Sequence, residues 1–182
     1  MKKYFMEVFK DKQKYRSFIN YMVLHSDKFS LVYFKHSENE ASKKSVKEIK
    51  TLLKPYKIYS VSGNQWPSMV TLNENNHIYN ITLYKSSPDV ENILTLTNDI
   101  FDWDYPSLPM DLCFYKDGYA WFSSSAHERF ACVYIDSKET YSELIDIGAD
   151  LCYAGDIDRS KLFLEQSLKV VVKDFKEANH IW

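Results

Sequence analysis

The feature that most constrains this sequence is an Asp117-Gly118 pair set between two short runs rich in apolar and aromatic residues. Asp111 to Tyr115 leads into the turn Lys116-Asp117-Gly118, and Tyr119 to Ser124 leads out of it. Asp-Gly tolerates the positive φ that a tight hairpin turn demands, so the two runs are expected to pair as antiparallel strands. Phe130 to Ile135 reads as a third strand of the same kind. A chain with three such strands in succession has to build its core around a sheet.

The flanking sequence supplies the other elements. Asp11 can cap a helix through about His25, with Tyr15, Phe18, Ile19, Met22 and Val23 on one face. Phe29 to Phe34 is almost continuously apolar, as buried strands are. Glu40 to Lys54 reads as a helix ended by Pro55. Val46, Ile49, Leu52 and Leu53 form its inner stripe, and Lys43, Lys44, Lys47 and Lys50 its solvated face. Tyr56 to Val61 is the next strand, and this strand–helix–strand order suggests a parallel pair joined by a right-handed crossover. Ser62 to Asn76 is a long loop with a short strand at Met69 to Leu72, and His77 to Tyr84 alternates as a strand.

Ser87-Pro88 opens a helix expected to run to about Ile100. The two prolines of Asp102 to Met110 rule out regular structure there. Asp136 and Glu139 have capping-box spacing for a helix ending near Gly148. Leu164, Leu168, Val171, Phe175 and Ala178 repeat at helical spacing, which predicts a helix over 158–178. Val170 to Val172 favours a strand instead, so a helix followed by a strand stands as the alternative. The expected fold class is α+β, one domain over residues 1–182. Its sheet is mixed and largely antiparallel, with helices packed mainly on one face.

Composition removes several function classes. With 23 basic and 25 acidic side chains the formal net charge is −2, which lacks the basic excess of nucleic-acid binders. Only 4 glycines are present, and neither the dinucleotide nor the phosphate-loop fingerprint occurs. His25, His36, His77, His127 and His180 are scattered singly. Neither Asp102 with Asp104 nor Asp156 with Asp158 extends to a calcium-loop pattern, so no metal or cofactor is expected. Cys113, Cys132 and Cys152 form no CxxC pair and are expected to be reduced. With no apolar run long enough to cross a bilayer and no signal-peptide pattern, the expected location is the cytoplasm, without membrane association.

Two sets of residues are candidates for function. The proline-bearing connections carry large rings at Trp66, Trp103 and Tyr105, next to Asp102 and Asp104. Tyr and Trp bury large area at small rotamer cost, so these five residues are the expected contact surface for a protein partner. The simpler reading is that the rings roof over the core. The second set is Ser123-Ser124-Ser125-Ala126-His127-Glu128. It offers Ser125, or Cys132 from the next strand, as a nucleophile with His127 as base. Triad members, however, usually come from distant segments, and no nucleophile-elbow pattern surrounds any serine.

Trp66-Pro67, the Trp103 to Asp111 stretch with Leu108-Pro109, and Ser125-Ala126-His127-Glu128 after Trp121 together resemble a group of short, uncharacterised cytosolic proteins of Gram-positive bacteria. Some of that group carry a sporulation label, and similar small α+β proteins serve as immunity proteins beside polymorphic toxins. The resemblance spans about Trp66 to Glu128 and implies binding, with no catalytic residues attached. The leading expectation is therefore a protein-binding inhibitor of immunity type that occludes a toxin's active site. A small hydrolase or transferase is the alternative. A structural or regulatory subunit that homodimerises through the hairpin edge is a further one.

Overall fold

The computed structural model describes residues 1–9, 11–34, 40–69 and 79–168. Its strands are β1 (Lys2–Met6), β2 (Lys28–Phe34), β3 (Lys57–Gly63), β4 (Tyr79–Lys85), β5 (Met110–Lys116), β6 (Tyr119–Ser125), β7 (Phe130–Ile135) and β8 (Leu151–Asp156). Its helices are α1 (Lys12–Leu24), α2 (Glu40–Leu52), the single turn α3 (Glu91–Leu94) and α4 (Lys138–Asp146). The strands form one sheet in the order β3-β4-β2-β5-β6-β7-β1-β8, and every neighbouring pair is antiparallel. The α+β class holds, with the sheet wholly antiparallel.

The hairpin forms as the Asp-Gly pair predicts. Asp117 and Gly118 take φ of 52° and 81°, and Lys116 pairs with Tyr119. The hairpin is interior, because β5 pairs outward with β2 and β6 with β7. Dimerisation through its edge is thereby excluded. Among the described residues the unpaired edges belong to β3 and β8. The expected parallel pair also fails. β2 and β3 do run in the same direction, but β4 lies between them and is antiparallel to both.

The helices share one face of the sheet. Asp11 caps α1 by accepting from Gln13 N. Tyr15, Phe18, Ile19 and Met22 then bury against Phe29, Phe114, Phe122 and Val133 of the strands in one continuous core. Ile49 and Leu53 bring the second helical segment, and Leu144 brings α4, onto that same core. The cap of α4 is Ser137, which accepts from Thr140 N, rather than Asp136. The helix expected from Ser87 is shorter than its pattern. A 3-10 turn at Pro88–Val90 runs into α3, which ends at Leu94.

The opposite face carries a second, smaller core of Val32, Ile81, Leu83, Met110, Cys113 and Tyr115, roofed by Trp66 and Leu168. The helix predicted from Asp158 does not form over 158–166, and helical backbone begins only at Ser167. After β8 the chain makes a 3-10 turn at Arg159–Lys161 and a bridge from Leu164 to Tyr119. Phe163 O accepts from Ala120 N at 2.8 Å. Edge bonds to the hairpin override the four–three spacing. The remainder of that expectation (Val171, Phe175, Ala178), the strand at 70–72, and His36, His77 and His180 lie outside the described residues. No helix among the described residues is long and apolar enough to cross a membrane.

Candidate functional site

The proline-bearing loops are straps drawn inward. Trp103 is 0% exposed and Trp66 is 3% exposed. The indole Nε1–H of Trp103 donates to the Tyr15 hydroxyl at 3.0 Å. That hydroxyl accepts a further bond from Thr97 Oγ1 at 2.9 Å and donates to Leu94 O at 2.8 Å. The Trp66 Nε1–H donates to Asp111 Oδ2 at 2.8 Å. A buried indole requires such a partner, and both find one inside the molecule. Neither ring can anchor a partner, so the surface expected around them is corrected to interior packing.

Their three neighbours serve the same straps. Asp102 is exposed, but its carboxylate accepts from the backbone N–H of Asn98 and Asp99 at 2.9 and 3.0 Å, closing a capping box with Asp99. Asp104 is half-buried, and its N–H donates to Asp102 O. The half-buried Tyr105 ring lies 4.1 Å from that of Phe34.

Sequence reasoning passed over the residue that organises this region. Asp111 is buried at a φ of 57°, a left-handed conformation that Asp adopts more readily than most residues. Its two carboxylate oxygens hold Trp66 Nε1 and Ala126 N, each at 2.8 Å. Burial pushes its pKa above the ordinary carboxylate value, and those two bonds oppose the shift. Asp99 is raised by burial in the same way while it accepts from Phe9 N and Phe101 N.

The Ser125 and His127 pair does come together, loosely. Ser125 Oγ lies 3.5 Å from His127 Nδ1, and His127 Nε2 lies 3.8 Å from Glu128 Oε1. The order is that of nucleophile, base and acid, but the imidazole side chain is 58% exposed and the carboxylate 52%. Both contacts are long, and water competes for them. A reacting carbonyl would further need donors converging on its oxygen. Cys132 stands apart from this pair. Its buried thiol donates to Tyr134 OH at 3.4 Å and lies 3.4 Å from Ser123 Oγ. Cys113 is buried as well, and burial pushes its thiol well above the ordinary value, the opposite of an activated nucleophile.

The accessible aromatic surface lies elsewhere, at the β7–β1–β8 end of the sheet. Tyr4 and Met6 of β1 point into the helix-side core, so Lys3 and Phe5 point out of the other face. Phe5 is 38% exposed. Its ring meets that of Phe130 edge-on at 5.1 Å, and Lys3 Nζ sits 5.0 Å from the first ring and 5.7 Å from the second. Cys152, paired with Phe5 across the ladder, is exposed beside them. Lys2-Lys3-Tyr4-Phe5-Met6 does not alternate in polarity, so the sequence carried no clear signal for this strand or its surface.

Compared with known protein families, curated proteins and solved structures, the chain matches none of them. The functional reading therefore rests on geometry. Grooves also mark the described surface. One of about 670 Å³ lies between β1, β8 and the start of α4, and one of about 500 Å³ lies along α1. The larger mixes Lys2 and Lys138 with Asp136 and Asp156, which selects no single ligand charge. Among the described residues no cluster of His, Cys, Asp and Glu is arranged to hold a metal ion.

Proposed function

We propose that this chain is a protein-binding protein, with an inhibitor of immunity type as the specific form of the role. Its contact surface is the open end of the sheet around Phe5, Phe130 and Lys3. The observation that carries the reading is the Phe5–Phe130 pair, left accessible on a sheet whose other large rings are mostly submerged. An edge-on aromatic pair beside a lysine offers apolar area with a cationic rim, the composition of an interface centre. Of the five loop residues picked from sequence, Trp66 and Trp103 are interior, while the exposed Asp102 and the half-buried Asp104 and Tyr105 belong to the strap around Trp103. The enzyme alternative is favoured only by the 3.5 Å Ser125–His127 approach, which lacks a firmly held acid.

The test is calorimetric binding to the product of the adjacent gene, with wild type compared to Phe5→Ala, Phe130→Ala and Trp103→Phe. Loss of an interface anchor costs about 2 kcal/mol or more, roughly thirtyfold in affinity. The two surface variants should lose that much with melting curves unchanged, while Trp103→Phe should lose stability and keep affinity. Full affinity in Phe5→Ala and Phe130→Ala would remove this surface from consideration.

A further inference from the structure

Among the described residues the two unpaired edges of the sheet adjoin runs of opposite charge. Residues 139–158, which comprise most of α4 and all of β8, contain six acidic side chains and no Lys, Arg or His. The six (Glu139, Glu143, Asp146, Asp150, Asp156 and Asp158) are all exposed. At the other edge, Lys44, Lys47, Lys50, Lys54 and Lys57 of α2, the 3-10 turn after it and β3 are all exposed, with Glu48 the single acid among residues 44–57. Lys138 and Arg159 border that acidic run and Lys2 lies beside it on β1, so the acid excess at this end is confined to the run itself.

We propose that copies of this chain associate head to tail, the β8 edge of one docking on the β3 edge of the next. Three observations converge on a second copy as the occupant. First, the sheet has eight strands in strict alternation of direction, so β3 and β8 run oppositely. A neighbour related by translation along the sheet therefore presents β3 antiparallel to β8, the same pairing found at every internal position. Second, α2 and α4 both pack on the helix face, since Ile49 and Leu144 belong to one core. The side of α4 toward β8 carries Lys138, Tyr141 and Ser142, and Glu143 turns to Tyr21 of α1, so the acids that the same translation brings toward the lysines of α2 and β3 are those at the ends of β8, Asp150, Asp156 and Asp158. Third, both edge strands expose an apolar side chain among the charges, Ile58 at 45% and Tyr153 at 55%. A two-fold β8–β8 contact would instead oppose acid to acid, which disfavours a closed dimer.

Each edge also carries a bulge, with Ile58 the extra residue in β3 and Ala154 in β8. Bulges shorten the stretch over which edges can pair, so the contact is weak and depends on charge. Such association fades with added salt, because the screening length falls from about 30 Å at 0.01 M to about 3 Å at 1 M.

Sedimentation equilibrium of the full chain, from micromolar to millimolar concentration, reads the outcome. The mean mass of wild type in low salt should climb past that of a dimer and return to monomer in high salt. Asp150→Lys and Asp156→Lys combined, or Lys44→Glu, Lys47→Glu and Lys57→Glu combined, should each stay monomeric alone. Their equimolar mixture should associate again, since every edge contact is then complementary. Wild type that remains monomeric in low salt, that stops at a dimer, or that binds a lysine-rich peptide while still monomeric overturns the proposal. So does a mixture that fails to associate when both variants melt like wild type.

Discussion

Tyr15→Phe removes one oxygen from the helix-side core, and the structure fixes what that should cost. The hydroxyl accepts from Trp103 Nε1 and Thr97 Oγ1 and donates to Leu94 O. Thr97 Oγ1 already lies 3.4 Å from Leu94 O and can turn its proton there, so that carbonyl and the threonine keep a partner. The Trp103 indole N–H has no such second acceptor among the described residues. An orphaned buried donor costs about 1–3 kcal/mol, and the weakened Leu94 contact adds about 0.5–1 kcal/mol. The variant should therefore lose about 1.5–4 kcal/mol, a large share of the roughly 5–15 kcal/mol of a typical domain. Urea unfolding followed by far-ultraviolet circular dichroism measures it. The sharper test is the cycle with Trp103→Phe. Once the indole is gone there is no donor to orphan, so the double variant should cost about 1–2 kcal/mol less than the sum of the singles. A Tyr15→Phe cost below about 0.5 kcal/mol, typical of a surface change, would refute the placement of Trp103 in the interior.

Two further outcomes follow from buried acids and thiols. Asn tolerates the left-handed backbone of Asp111, so Asp111→Asn isolates the titration of that carboxyl. Burial raises its folded value, so its stabilising contribution is complete below the unfolded value of about 3.9 and is lost as pH rises through the higher folded value. The stability gap between wild type and Asp111→Asn should widen as urea midpoints are taken into acid, and a gap that grows toward alkaline pH contradicts the argument. With a disulfide reagent, native protein should show one fast thiol, Cys152, and all three only in denaturant, because Cys113 and Cys132 are buried. More than one fast thiol in the native state would count against the packing described.

Local signals in the sequence were read correctly where a single backbone requirement decided the outcome. Asp117-Gly118 had to turn, and Asp11 capped the helix it precedes. β2 was legible because a continuous apolar run needs cover on both faces, and both cores supply it. Errors arose where a distant partner decided. β8 has only Leu151, Cys152, Tyr153 and Ala154 to announce it, and it exists because β1 offers an edge. The Leu164–Leu168 spacing suggested a helix until Tyr119 and Ala120 bound that segment. The candidate surface was misplaced for a related reason. Proline in a connection shows that the backbone is irregular, and it says nothing of whether the chain bows outward or is pulled across a sheet. Trp66 and Trp103 went inward because Asp111 and Tyr15, both far away in sequence, held acceptors for them.

The position of β1 has a consequence for biosynthesis. Met6 pairs with Ala131 on one side and with Leu151 on the other. Translation at about 5–20 residues per second leaves that strand waiting on the order of ten seconds before either neighbour emerges from the ribosome. Meanwhile β2 to β6 can already assemble, since their mutual ladders close by Ser125. The nascent polypeptide thus carries a half-built sheet and a tethered, sticky leading segment, the kind of client that chaperones shield until the last strands arrive.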